Sequence, residues 1–149
     1  MALGMRQPAG AFEGAGERSD LTVLVADDEP DVRATVGQVL QTHGCRVLEA
    51  VDGVHALEIA TQHPGPIHLL VTDIEMPRLD GHELHRRFNQ RHPETRTLFM
   101  SGAAETGLHA SAAFLSKPFR AQTLVRKVCE VLQILDLGLN PSMPKGAGD

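Results

Sequence analysis

Leu21-Thr-Val-Leu-Val-Ala-Asp-Asp-Glu-Pro30 is the stretch that decides the fold. Its apolar run is too short for a helix and too uniform for a strand with one wet face. Such runs read as strands covered on both sides, as in a parallel sheet packed between helices. Asp27 and Asp28 follow at once, then Glu29 and a proline suited to the first turn of a helix. The pattern returns further along. Ile67–Thr72 is apolar and ends in Asp73, and Ala112–Ser116 ends in Lys117-Pro118. In an open parallel sheet all such strand ends lie along one edge, where ligands bind. Acids at two ends and a lysine at a third therefore converge in space, although they are far apart in the chain.

Working outward, strands and helices alternate. The pattern predicts strands at Thr22–Ala26, Arg46–Ala50, Ile67–Thr72, Thr97–Ser101 and Ala112–Leu115. It predicts a helix over Pro30–His43, with Val32, Val36, Val39 and Leu40 on one face and Gly44 as its stop signal. Gly53–Gln62 is a second helix capped by Asp52, and a third starts after Asp80 and runs to about Arg91. The last helix spans Phe119–Leu137, with Leu124, Val128, Val131, Leu132 and Leu135 inward. Alternating βα units with short connections give an α/β, doubly wound, five-stranded parallel sheet. Periodicity does not supply the strand order. Residues 1–20 and 138–149 read as flexible tails around one domain at 21–137, and Met1 with two such tails suggests a complete small protein.

Bulk numbers narrow the function. The chain has 149 residues, 42% of them hydrophobic, enough for one domain with a real core. A net charge of −5 argues against nucleic-acid binding, which needs a basic face. The sequence has no apolar run long enough to span a membrane, and its start lacks the apolar core of a signal peptide. Cys45 and Cys129 match neither a disulfide framework nor a metal pair and fit a reduced cytoplasmic protein. Of eight histidines, only His82 and His85 share a helix face, and no third ligand of helical spacing follows. They read as surface residues, and Arg86, Arg87 and Arg91 as a solvated helix face. No GxGxxG phosphate loop follows the first strand, which counts against a dinucleotide enzyme.

Four segments, in order and at strand ends, carry a resemblance. They are Val-Leu-Val-Ala-Asp-Asp-Glu-Pro (23–30), Leu-Leu-Val-Thr-Asp-Ile-Glu-Met-Pro-Arg-Leu-Asp-Gly (69–81), Phe-Met-Ser-Gly-Ala (99–103) and Phe-Leu-Ser-Lys-Pro-Phe (114–119). Over about residues 21–137 the chain resembles the receiver domains of response regulators in two-component signalling, of the single-domain or hybrid-kinase-associated kind. The resemblance implies the flavodoxin-like fold with strand order 2-1-3-4-5. It implies a phosphoacceptor, not an enzyme acting on other substrates, in which Asp73 is phosphorylated by a histidine kinase or histidine phosphotransfer protein.

Carried over by position, Asp28 ligates Mg²⁺ directly, Asp27 does so directly or through water, and Asp73 and the Glu75 carbonyl complete the protein ligands. This suits a hard cation that prefers oxygen, keeps several waters and shares its site with a phosphate. Asp73, Lys117 and Ser101 form the catalytic set, with Lys117 and Mg²⁺ neutralising the phosphoryl oxygens. Ser101 and Phe114 are the switch pair. Phe114 stands where many members have Tyr, so its rotation rests on packing alone. Ala103 and Glu75 are placed to tune phosphate lifetime, Pro77 shapes the turn after the third strand, and Pro118 follows a cis peptide in the family.

One stretch departs from the pattern. The interval between Ser101 and Phe114 is short, and the small residues of Ala103–Ala113 leave room for a turn or two. The fourth helix of the family is therefore expected to be shortened or missing. The chain is then a monomer, or a phosphorylation-dependent dimer that does not use that helix. Two other functions compete. A pseudo-receiver would keep the fold and bind partners without phosphorylation, against which stands the complete set Asp27, Asp28, Asp73, Ser101 and Lys117. A phosphatase with an aspartyl-phosphate intermediate would place a second Asp where Glu75 stands, and no substrate-cap insertion is evident. No DNA-binding segment follows Leu137 in this sequence.

Overall fold

The computed structural model describes residues 21–102 and 113–134. Five strands, β1 (Thr22–Ala26), β2 (Arg46–Ala50), β3 (Leu69–Asp73), β4 (Arg96–Ser101) and β5 (Phe114–Ser116), form one parallel sheet in the order β2-β1-β3-β4-β5. Among the described residues there are four helices: α1 (Pro30–Thr42), α2 (Gly53–Gln62), α3 (Gly81–Arg91) and α4 (Ala121–Leu132). This is the flavodoxin-like order 2-1-3-4-5. The expected shortening of the family's fourth helix falls on residues 103–112, outside the described residues, as do Ala103, His109 and both tails.

Alternation along the strands builds two cores. Val23, Val25, Leu69, Val71, Leu98, Met100 and Leu115 face α1 and α4, meeting Val36, Leu40, Leu124 and Val128. Leu24, Ala26, Ala50 and Leu70 face the other way, onto Ala56 and Ala60 of α2 and Leu84 and Phe88 of α3. Every residue of β1 and β3 is buried. Helices on both faces explain why these strands are uniformly apolar.

Several boundaries move for local reasons. β3 starts two residues late because Ile67 packs in the core ahead of the ladder, while His68 Nδ1 accepts from the Thr22 amide at 3.0 Å. The last helix begins at Ala121 and ends at Leu132, short of the expected Phe119–Leu137. Gln133 there adopts a left-handed conformation (φ 59°) and Ile134 N donates back to Cys129 O at 3.0 Å, a closure that stops the helix without glycine. Leu124 and Val128 are buried as expected, and Val131 and Leu132 pack at the core's edge. Leu135 lies outside the described residues. Asp52 and Asp80 cap α2 and α3, accepting from His55 N at 2.8 Å and Glu83 N at 2.9 Å.

The histidines are less peripheral than their polarity suggests. His43, His55, His68 and His85 each use Nδ1 in a hydrogen bond, to Val39 O, Val51 N, Thr22 N and Thr97 Oγ1. They are half-buried structural partners, which corrects the surface reading. His85 also meets the Phe99 ring, and burial together with the charge of His82 lowers its pKa.

One glycine fixes the loop that carries Asp73. Gly81 N donates to Ile74 O at 2.7 Å, closing the segment between β3 and α3. A Cβ at Gly81 would overlap the Asp73 carbonyl oxygen and approach Ile74 Cα to 2.9 Å. Backbone cannot yield as a flexible side chain does. Gly81→Ala is expected to destabilise the fold by about 1–3 kcal/mol, the usual range for overpacking. Urea unfolding followed by circular dichroism checks this, and an unchanged midpoint would show that the loop simply shifts.

Candidate functional site

The carboxyl ends of β1, β3 and β5 meet beside a cleft of about 680 Å³ lined by Asp28, Glu29, Asp73, Glu75, Gly102, Lys117, Pro118 and Phe119, with Asp31, Val32 and Thr35 of α1. The strand register brings them together. Asp27 follows β1, whose neighbour β3 ends in Asp73. Lys117 follows β5 and its amide donates to Ser101 O at 2.8 Å, tying it to the end of β4. The Lys117-Pro118 peptide is cis, as the resemblance implied.

Lys117 is the hub. Its Nζ lies 2.9 Å from Glu29 Oε1, 3.0 Å from Asp27 Oδ2 and 3.4 Å from Asp73 Oδ2. Asp27 is fully buried and Asp73 nearly so. Asp27 Oδ1 accepts from the Glu29 amide at 2.9 Å, which fixes the chain as it enters α1. Asp27 Oδ2 is buried with no hydrogen-bond partner, so its contact with Lys117 is one of charge without hydrogen-bond alignment. Arg33 Nη1 donates to the Asp27 carbonyl at 2.8 Å and steadies the same turn from α1.

Burial sets the electrostatics. It raises the pKa of Asp27, against the Glu29 amide and Lys117, which pull it down. Burial also raises Asp73, the charge of Asp27 adds to this, and Lys117 opposes it. For Lys117, burial works against the charge, but its close contacts with Glu29 and Asp27 and the charges of Asp27 and Asp73 outweigh it, so its pKa is raised. One lysine holds two buried carboxylates without fully neutralising either.

The oxygens of Asp27, Glu29 and Asp73 lie within 4.8 Å of one another. An all-oxygen donor set with a buried, unbonded acceptor at Asp27 Oδ2 fits a hard divalent cation. Asp28 is exposed and Glu75 is exposed, and both line the same cleft. Ser101 is buried at the end of β4, and Phe114 is half-buried on β5, where its Cα pairs with that of Phe99. Sequence reasoning missed two participants, Glu29 and Arg33. The signal for Glu29 was its place next to the acid pair and before the helix. Arg33 lay one turn into α1, on the side facing β1.

Comparison with known proteins places this arrangement. A family model for the response regulator receiver domain matches residues 23–129. The response regulator receiver protein CpdR of Brucella abortus is 34% identical over 116 residues, covering 74% of this chain and 95% of CpdR. The sensor kinase CckA of the same organism is 38% identical over 121 residues, covering 77% of this chain but 13% of the kinase. The chain thus spans nearly all of one relative and a small part of the other. Among solved structures, the receiver domain of the hybrid histidine kinase CckA aligns with a TM-score of 0.61 at 34% identity, covering 75% of this chain and 99% of that one. The chemotaxis protein CheY4 of Vibrio cholerae aligns with a TM-score of 0.65 at 28% identity, covering 74% and 98%. Among the described residues no helix is long and apolar enough to cross a membrane. With its parallel sheet, its acidic cleft and the matched family model, the chain belongs to the response regulator receiver domains of two-component signalling.

Proposed function

We propose that the chain, over residues 21–137 with tails at 1–20 and 138–149, is a cytoplasmic phosphoacceptor of a two-component or phosphorelay system. Asp73 takes a phosphoryl group from the phosphohistidine of a histidine kinase or histidine phosphotransfer protein, and the new state changes which protein the chain binds. The observation that carries this reading is the convergence of Asp27, Asp73 and Lys117 within 3.4 Å contacts at the edge of the sheet.

In the transfer, an Asp73 carboxylate oxygen attacks phosphorus in line. The P–N bond breaks, and the imidazole leaves with the electron pair and takes up a proton. Most of the catalysis is positioning and charge stabilisation. Lys117 Nζ lies 3.4 Å from Asp73 Oδ2 and can follow the charge onto the phosphoryl group. Asp27, Asp28, Asp73 and the Glu75 carbonyl would hold Mg²⁺, which supplies charge neutralisation and orientation of the phosphoryl oxygens when bound. Ser101, at the end of β4, would hydrogen-bond the phosphoryl group, and Phe114 on the neighbouring strand would repack as Ser101 moves. A pseudo-receiver that signals without phosphorylation finds no support, since the acceptor carboxylate and its lysine are both in place.

Intact mass after incubation with acetyl phosphate tests the reading. One added phosphoryl group, dependent on Mg²⁺ and absent from Asp73→Asn, is the expected result. No gain from acetyl phosphate or from a phosphohistidine donor would overturn it.

The electrostatics give a second prediction. Asp27 and Asp73 hold protons more tightly folded than unfolded, so their contribution to stability is fullest at acid pH. It declines as pH rises from near the ordinary value of 3.8 through the raised folded values. The raised lysine adds no slope there, because its contribution is lost only on the alkaline side. Asp27→Asn and Asp73→Asn should therefore melt higher than the parent at pH 7 in chelator, with a flatter pH profile. Mg²⁺ at a hundredfold excess over its dissociation constant should stabilise the parent by about 2.7 kcal/mol and the variants less. Variants that melt lower in chelator would show that the carboxylates hold the fold together.

A further inference from the structure

We infer that Glu29 is a positioning residue that competes with the phosphoryl group for Lys117 and must release it on phosphorylation. The inference rests on the reading of Asp73 as phosphoacceptor. A lysine ammonium has three donors and no acceptor. Here it faces three carboxylates, with Glu29 Oε1 the nearest at 2.9 Å. A phosphoryl oxygen on Asp73 would compete with these contacts for the ammonium.

Geometry decides which contact yields. Asp27 is fully buried and its Oδ1 is bound to the Glu29 amide, so it has nowhere to go. Asp73 is the group being modified. The Glu29 side chain is 61% exposed, against 9% for Asp73. Its backbone is pinned at both ends, by the amide to Asp27 and by the carbonyl that accepts from Arg33 N at 3.0 Å. Release then needs only side-chain rotation into water. An interaction made by the unphosphorylated state and absent from the phosphorylated one shifts the balance toward the former by its own free energy. Glu29 also adds a negative charge to the cleft that a small anionic phosphodonor must enter.

This role differs from that of a metal ligand, although the Glu29 oxygen lies in the same cluster as Asp27 and Asp73. Beryllofluoride with Mg²⁺, a stable phosphoryl mimic, separates the two, with Mg²⁺ alone as the second probe. Titrations use the full chain, with ¹⁹F resonance for beryllofluoride and calorimetry for Mg²⁺. Glu29→Gln removes the charge and reduces the ion pair to a neutral hydrogen bond, and Glu29→Asp keeps the charge but is one methylene too short for the contact. Both variants should bind beryllofluoride tighter by about threefold or more, the scale of a half-exposed ion pair, and both should bind Mg²⁺ alone much as the parent does. Parental beryllofluoride affinity in Glu29→Gln would overturn the inference. So would tightening in Glu29→Gln but not in Glu29→Asp, which would leave only a charge effect. A loss of Mg²⁺ affinity of roughly tenfold or more in Glu29→Gln would make Glu29 a metal partner instead. A parent chain that binds no beryllofluoride would sink the phosphoacceptor reading and this inference with it, an outcome distinct from the others.

Discussion

A single ammonium set among buried carboxylates is the constraint on which the site depends. β1 and β3 are covered on both faces, so the residues that end them leave water with them. Putting carboxylates there is costly, and a buried charge without a partner is costlier still. Lys117 supplies the partner from β5, across the whole width of β3 and β4. It is delivered by the sheet, through the bond of its amide to Ser101 O, and not by any local turn around the acids. The strand order 2-1-3-4-5 is thus a condition of the chemistry as well as of the packing.

The compensation is incomplete in a specific way. Burial raises the pKa values of Asp27 and Asp73, and the one positive charge of Lys117, set against two buried carboxylates and a third at the rim, does not bring them back down. A site neutralised within the protein would have nothing to gain from a cation or a phosphoryl group. A site with an acceptor left over, as Asp27 Oδ2 is, would gain from the first and, on the proposed reading, from the second. Gly81 belongs to the same design. Its missing side chain lets the chain fold back against the Asp73 carbonyl and holds Asp73 at the edge of the cleft.

Much of this was legible in the sequence because it is written in short-range pattern. Uniform apolar runs announced β1 and β3, the acids and lysine at their ends announced the cleft, and Asp52 and Asp80 announced the caps they make. What escaped depends on contacts between distant segments. Strand order was invisible to periodicity because a strand buried on both faces looks the same beside any neighbour, and only the resemblance supplied it. The bond from Thr22 N to His68 Nδ1 joins residues that only the β1–β3 pairing brings together. The end of α4 turns on Gln133 in a left-handed conformation, a place where glycine would have given warning. Glu29 was passed over because its backbone only leads into α1, while its side chain reaches Lys117, which lies 88 positions away in the chain.

That double use of Glu29 bears on how a fold of this kind switches. Asp27 and the residues of β1 are locked by burial on both sides, so they cannot be the moving parts. Among the described residues at this contact, the groups with an open side are the Glu29 carboxylate and, at 13% side-chain exposure, Lys117. A phosphoryl group on Asp73 adds charge where charge is already in excess. The rigid core cannot spread the disturbance evenly, because close-packed interiors deform in steps. The response must then run through the lysine, whose side chain touches the acids and whose backbone is bonded to the end of β4. On the proposed phosphorylation of Asp73, Lys117 would both answer the new charge and, through its backbone bond to the end of β4, pass it to the edge formed by β4 and β5.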